Sequence, residues 1–230
     1  MIALPAGVSS ILWISATLAV FFFFRRLYLH FGYTLLNPVL WSTSTIVALV
    51  ILSGHPRDAF STETRPVVWL LGPAVVAMAR PVWLQRRLIG QNWRMFASLV
   101  AASLLLSLAT LTLLPRLLGP DLARALSLRS VTAPVALGIA QQTGVPPDLV
   151  VAGILISGLF GMVFGPALLA VAGIRGDQPE LGAALGCASH GLGTARAYEI
   201  GQTAGAFASV SMGLSALAYG LLLPILLAAL

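Results

Sequence analysis

The sequence predicts an all-α fold, a polytopic transmembrane helical bundle with broken or re-entrant helices. Three observations lead there. Of the 230 residues 58% are hydrophobic and only 9% charged, with a mean hydropathy of +0.95, far from the composition of ordinary soluble domains. Apolar runs of the roughly 20 residues that span a bilayer follow one another along the chain. Several runs are interrupted by Gly and Pro, which a membrane tolerates only where neighbouring groups satisfy the freed backbone.

The first run, residues 8–24, has no positive charge before it and Arg25-Arg26 directly after it, the reverse of a cleavable secretory signal. It reads as an uncleaved helix with its N-terminus outside and its arginines in the cytoplasm. A second helix, residues 35–53, returns to a polar external loop, 54–65, in which two arginines are balanced by Asp58 and Glu63. The third run, 66–83, is interrupted at Gly72-Pro73 and ends at Arg80-Pro81, the pattern of a broken or re-entrant helix. Arg80, Arg86, Arg87 and Arg94 follow with no acid among them, which places this loop in the cytoplasm. A clean helix, 95–114, stops at Pro115. Residues 116–129 are amphipathic, and 131–140 are too short to span. A long run, 149–174, spans again. The loop 175–180, an unusual small-residue segment, 181–199, and a last helix, 203–230, complete the chain.

All thirteen basic residues are arginine against seven acids, a net charge of +6. In a soluble chain this would suggest nucleic acid. Here the arginines cluster at the ends of apolar runs, which the positive-inside rule explains, so no nucleic-acid partner is expected. A single cysteine, Cys187, excludes an intramolecular disulfide, and with three histidines in the chain it leaves no ligand set for a metal. No metal and no cofactor is expected.

Five glycines lie in residues 1–115 and seventeen in 116–230, so the second half is the closely packed one. Gly153, Ser157, Gly161 and Gly165 recur every four residues, as do Gly201, Gly205, Ser209 and Gly213. Such rows let a second backbone approach, and the segment between them in sequence is the natural occupant. Residues 72–79 also echo residues 133–140, which suggests repeat halves, about 1–115 and 116–230, within one membrane domain spanning 1–230.

The segment 181–199 is where chemistry is expected. From Gly182 to Ala195, eleven of fourteen residues are Gly, Ala, Ser, Thr or Cys, yet the stretch holds Ser189 and His190 and leads into Arg196 and Glu199. Ionisable groups at membrane depth usually face a cavity or a partner. Gly191 and Gly193 suit a helix break, and a half-helix restarting near Thr194 would aim its positive end into it. A small carboxylate fits such a gap, with Ser189 and Thr194 as hydroxyl donors and His190 as donor or proton carrier. The alternative for Arg196 and Glu199, three apart on a helix, is mutual neutralisation. A second candidate is Arg129, Ser130, Thr132 and Pro134, where Pro134 frees a carbonyl beside polar side chains; the alternative is a capped helix start with an interfacial arginine. Gly72 and Pro73 would shape a cavity without touching the ligand. No G-x-S-x-G elbow and no dinucleotide fingerprint is present, so no enzyme is expected.

At these residues the sequence resembles the LrgB/CidB family of bacterial membrane proteins, to which the C-terminal half of the plastidal glycolate/glycerate translocator is related. The resemblance rests on Leu71-Gly-Pro-Ala-Val-Val-Ala-Met-Ala79, Arg129-Ser-Val-Thr-Ala-Pro-Val-Ala136 and Ala188-Ser-His-Gly-Leu-Gly-Thr-Ala-Arg-Ala197, in the family's order. Ala133 stands where the family commonly has a second threonine. The resemblance implies a multi-pass protein of the bacterial inner membrane. It implies either transport of small monocarboxylates such as glycolate, glycerate or pyruvate, or an antiholin-like role in controlling murein hydrolase activity and lysis. Its expected partners are a small organic acid anion, the lipid bilayer and a small LrgA/CidA-like membrane protein. A homo-oligomer is compatible with it.

Overall fold

A computed structural model describes residues 6–33 and 36–229, and every regular element among them is helical. Helix α1, Ala6–Phe31, runs two turns beyond the expected end at Phe24, because arginine is a good helix former whose head reaches out to the interface. Leu35, where the second helix was expected to begin, lies outside the described residues. Helix α2, Pro38–Ser53, is capped by the Asn37 side chain on the Val39 N–H and closed by Gly54 at φ 65. Its 16 residues rise about 24 Å, short of a ~30 Å hydrocarbon core.

The expected loop 54–65 is partly helical, since it holds α3, Arg57–Glu63. His55 Nε2 lies 2.9 Å from Glu63 Oε2, and Trp13 of α1 packs against His55 and Phe60. Helices α4, Arg65–Trp69, and α5, Leu71–Leu84, follow. The break falls at Leu70 rather than at Gly72-Pro73, because Pro73 sits in the first turn of α5, where a missing N–H costs no bond. Nor does the helix end at Arg80-Pro81, since α5 continues through Pro81 to Leu84. The chain resolves into two compact units, residues 1–77 and 78–230.

The second unit contains α6, Arg86–Gln91, α7, Trp93–Leu113, α8, Pro115–Leu118, α9, Pro120–Ser127, α10, Ala133–Thr143, α11, Pro147–Val171, α12, Pro179–Ile200, and α13, Gln202–Ala229. Among the described residues five stretches are long and apolar enough to cross a membrane: Gly7–Phe31, Arg65–Leu84, Trp93–Leu113, Pro147–Val171 and Gln202–Ala228. Helices α7 and α13 run parallel, for Phe96 stacks on Phe207 near their starts, and Ser103 and Ser107 bond the Tyr219 hydroxyl further along, at 2.7 and 2.8 Å. Tyr219 is fully buried, and its hydroxyl also donates to the Ser103 carbonyl at 2.9 Å. An unmatched phenol at this depth would be costly.

Helix α12 is not a straight rod. Ser189 (φ −127°, ψ 15°) and His190 (φ 42°, ψ −128°) leave helical geometry. Beyond them the chain doubles back. On a continuous helix Leu185 and Gly193 would lie ~12 Å apart, yet a methyl on Gly193 would overlap the Leu185 carbonyl. Asp177, before α12, accepts from the N–H of Ala204, after it, at 2.6 Å; a straight α12 would part these ends by ~36 Å or more. The first half runs parallel to α13, with Gly182 against Ala204 and Gly186 against Ala208, backbone to backbone. The second half returns antiparallel, with Tyr198 against Gly205 and Thr194 beside Met212. Gly186 abuts Ala208 and the chain turns three residues later, so the tip lies ~14 Å along α13, close to half of a ~30 Å core.

Helix α11 forms the other wall and runs antiparallel to the entering half: Gly165 meets Leu185, Gly161 meets Ser189 and Gly158 meets His190. The pair α9–α10 sits toward the other end of α11 and α13. There Leu126 approaches Gly153, and Val135 approaches Gly220, while Arg129 reaches back to Thr110 in the last turn of α7. The two doubled-back segments therefore enter from opposite ends of the bundle. Between them Leu128, Val131, Ile154, Tyr219 and Leu223 form one buried cluster.

Two measurements test this architecture. In a Cys187→Ser background, Gln178→Cys and Gln202→Cys are expected to label from one membrane face and Gln142→Cys from the other; labelling of positions 178 and 202 from opposite faces would mean that α12 spans. Asp177 also caps α13, accepting from Thr203 N at 3.3 Å as well as Ala204 N. Asp177→Ala is therefore expected to lower stability by about 1 kcal/mol in thermal unfolding, as loss of an N-cap does.

Candidate functional site

The turn of α12 is positioned by residues without side chains. Ser189, His190 and Thr194 are each almost fully buried, and Ser189 and His190 fit only because Gly158, Gly161 and Gly193 leave room where a β-carbon would collide with them. The small-residue rows read from the sequence are partly those in use. Gly161 and Gly165 do receive α12, and Ser157 approaches the Ala188 carbonyl at 3.4 Å. Gly153 instead faces α9, and Gly158, outside the row, takes the imidazole. In the second row Gly205 takes the Tyr198 ring and Gly201, just before α13, takes Asp177, while Ala204 and Ala208 of α13 make the backbone contacts.

The break falls at Ser189-His190 and not at Gly191 and Gly193 as expected. Both glycines lie in the returning half-helix. Gly193 is needed there for closeness to Leu185, and Gly191 is exposed. His190 therefore occupies a φ of 42°, a region favouring glycine, and is the only non-glycine at positive φ among the described residues. Such a residue costs about 1–3 kcal/mol and persists when its surroundings over-determine it. What holds it here is a hydrogen bond from Nε2 to the Ile154 carbonyl at 3.1 Å. A carbonyl only accepts, so Nε2 carries the proton in this contact.

Of the three groups expected to face a guest, two are engaged within the protein. The Thr194 hydroxyl donates to the His190 carbonyl at 2.8 Å, and the His190 ring bonds Ile154. The Ser189 hydroxyl instead lines a cavity of about 260 Å³ between α11 and the entering half of α12, together with Ser157, Gly161, Gly165 and Ala188. Arg196 pairs with Glu199 at 2.6 Å, the neutralising alternative; Arg196 is half-buried and Glu199 exposed.

The second candidate segment bridges α9 and α10. Arg129 donates to the Thr110 hydroxyl at 3.2 Å and to the Leu126 carbonyl at 2.9 Å, and no carboxylate pairs with it among the described residues. Ser130 is buried, Thr132 is the half-buried residue before α10, and Pro134 is exposed in the first turn. The two segments meet at Ile154, whose carbonyl holds His190 while its side chain packs in the cluster of Leu128 and Val131. Gly72 and Pro73 are exposed in α5 and belong to the first unit. Sequence reasoning missed Asp177, Ile154, Gly158 and Tyr219. Ile154 acts through a backbone carbonyl and carries no sequence signal, whereas an acid shortly before a Pro-initiated helix could have marked Asp177 as a cap.

A family model described as "LrgB-like family" matches residues 17–229. The chain is 34% identical to the uncharacterized protein YxaC of Bacillus subtilis over 90% of each chain, and 30% identical to an uncharacterized protein of Haemophilus influenzae over 82% of each. It is 28% identical to the holin-like protein CidB of Staphylococcus aureus over 96% of each. No solved structure matches it.

The strain at His190 is measurable. His190→Gly and His190→Ala both lose the bond to Ile154, but only glycine relaxes the backbone, so the Gly variant is expected to be the more stable by about 1 kcal/mol or more. Thermal unfolding in detergent reads the difference, and equal stabilities would show an unstrained turn. Gly161→Val, which drives a side chain into Ser189, is expected to destabilise by about 1–3 kcal/mol.

Proposed function

The chain belongs to the LrgB-like family, and from that premise and the convergence of its two doubled-back segments on Ile154 we propose that it carries small monocarboxylates of the glycolate, glycerate or pyruvate type across the membrane. The convergence is the observation that carries the reading. Transporters commonly place substrate where interrupted helices meet near the bilayer midplane, with half-helix N-termini directed at anionic groups. Here the returning half of α12 and the uncapped start of α10 supply such termini. Arg129 supplies a cation without a carboxylate partner, and Ser189 a hydroxyl facing a cavity. A charge held this way inside a membrane domain is expensive unless a partner or a water-filled cavity compensates it. A carboxylate passing between the segments is such a partner. Rearrangement of the His190–Ile154 bond would open the route between them. A small LrgA/CidA-like membrane protein is the companion subunit in this reading.

The relatives named holin-like favour a second reading: a membrane protein of the holin and antiholin type that controls murein hydrolase activity and lysis, in which α12 serves as a packing device. Proteoliposomes holding the chain, with and without the companion, separate the two. Uptake of labelled glycolate or pyruvate is expected, falling at least tenfold in Arg129→Gln and Ser189→Ala. Absence of uptake for every small monocarboxylate, with lysis control intact in cells, would establish the holin-like role instead.

A further inference from the structure

The charged patch at the start of α7 and a long apolar groove beside it are not used by the transport reading. Arg86 and Arg87 lie on α6, four and three residues before Gly90, which places them next to it on the helix. Arg94 is the second residue of α7 and stands over the Trp93 ring at 5.7 Å, while Arg86 stands over Trp83 at 4.4 Å. All three arginines are exposed, and none pairs with a carboxylate among the described residues. The groove, about 610 Å³, starts at Ile89, Gly90 and Trp93, in the same chain segment as these arginines, and continues between α7 and α13 as far as Leu104 and Leu217.

The length of this groove identifies its occupant. From Trp93 to Leu104 α7 rises ~16 Å, half of a ~30 Å hydrocarbon core and therefore the depth of one leaflet. Ala97 and Ala101 floor it and are exposed, so the surface is a furrow with no side chain filling it. The positive-inside rule accounts for the side of the membrane on which arginines gather; it does not account for a one-leaflet furrow that begins at their sequence neighbours Ile89, Gly90 and Trp93. A phosphate at the arginines and an acyl chain along α7 satisfy both features at once, as basic clusters at helix ends do for anionic headgroups. We propose that α6, α7 and α13 form a binding site for one anionic phospholipid, its headgroup held by Arg86, Arg87 and Arg94 and one acyl chain in the furrow.

Native mass spectrometry of the purified full-length chain, titrated with phosphatidylglycerol or with phosphatidylcholine of the same acyl chains, tests this. Phosphatidylglycerol is expected to bind at least tenfold more tightly. That preference should fall at least tenfold in the Arg86→Gln, Arg87→Gln, Arg94→Gln triple variant. Either Ala97→Trp or Ala101→Trp, which fill the furrow from exposed positions, should weaken binding to the same degree while lipid-free thermal unfolding stays unchanged. Equal binding of the two lipids overturns the proposal. So does retention of phosphatidylglycerol by both tryptophan variants, which would reduce the effect to headgroup attraction. A dimer that Ala97→Trp dissociates, with lipid binding unaffected, would assign the furrow to a second copy of the chain.

Discussion

A backbone that reverses direction halfway across a lipid bilayer exposes polar groups where water cannot reach them, and the second unit is arranged around that requirement. The reversal at Ser189-His190 is enclosed by α11 on one side and α13 on the other, at distances that admit no β-carbon at Gly161, Gly182 or Gly186. Without a hydrophobic drive between helices in lipid, such backbone contact is what dispersion and hydrogen bonding require. The concentration of glycine in the second half of the chain follows from this one constraint. So does the low apolar content of α12, which faces protein along nearly its whole length.

Enclosure also explains why a histidine sits in a conformation that suits glycine. A glycine there would relieve the strain but would offer no side chain to reach Ile154, so the α12 tip would lose the hydrogen bond that His190 makes to the wall shared with α9 and α10. The strained residue thus joins two segments that come from opposite ends of the bundle. The Ser103, Ser107 and Tyr219 network has every polar atom paired and fixes α7 to α13 as a rigid frame.

The polar groups of the two segments divide into those used by the fold and those left over. Thr194 closes the turn on itself, and Arg196 is tied to Glu199. Ser189 and Arg129 retain hydrogen-bonding capacity toward cavity and segment junction. Residue type could not make this distinction, because serine and threonine, or two arginines, look alike until the partner atoms are known.

Composition and periodicity by themselves determined that the chain is a helical membrane protein, that its second half packs closely, and that α12 is broken, since apolar runs and small-residue rows are local properties of the chain. They placed the break two or three residues late, because glycine marks where a backbone can bend, whereas the bend falls where neighbouring helices demand it. They also put the end of α5 at Pro81 and left 54–65 as loop, because the packing of Trp13 on His55 and Phe60 lies outside any local window. Only the tertiary structure decided that α12 doubles back instead of crossing. The contacts that show it join Leu185 to Gly193 and Asp177 to Ala204, and the helical period of 3.6 residues is the same whether a broken helix continues or returns.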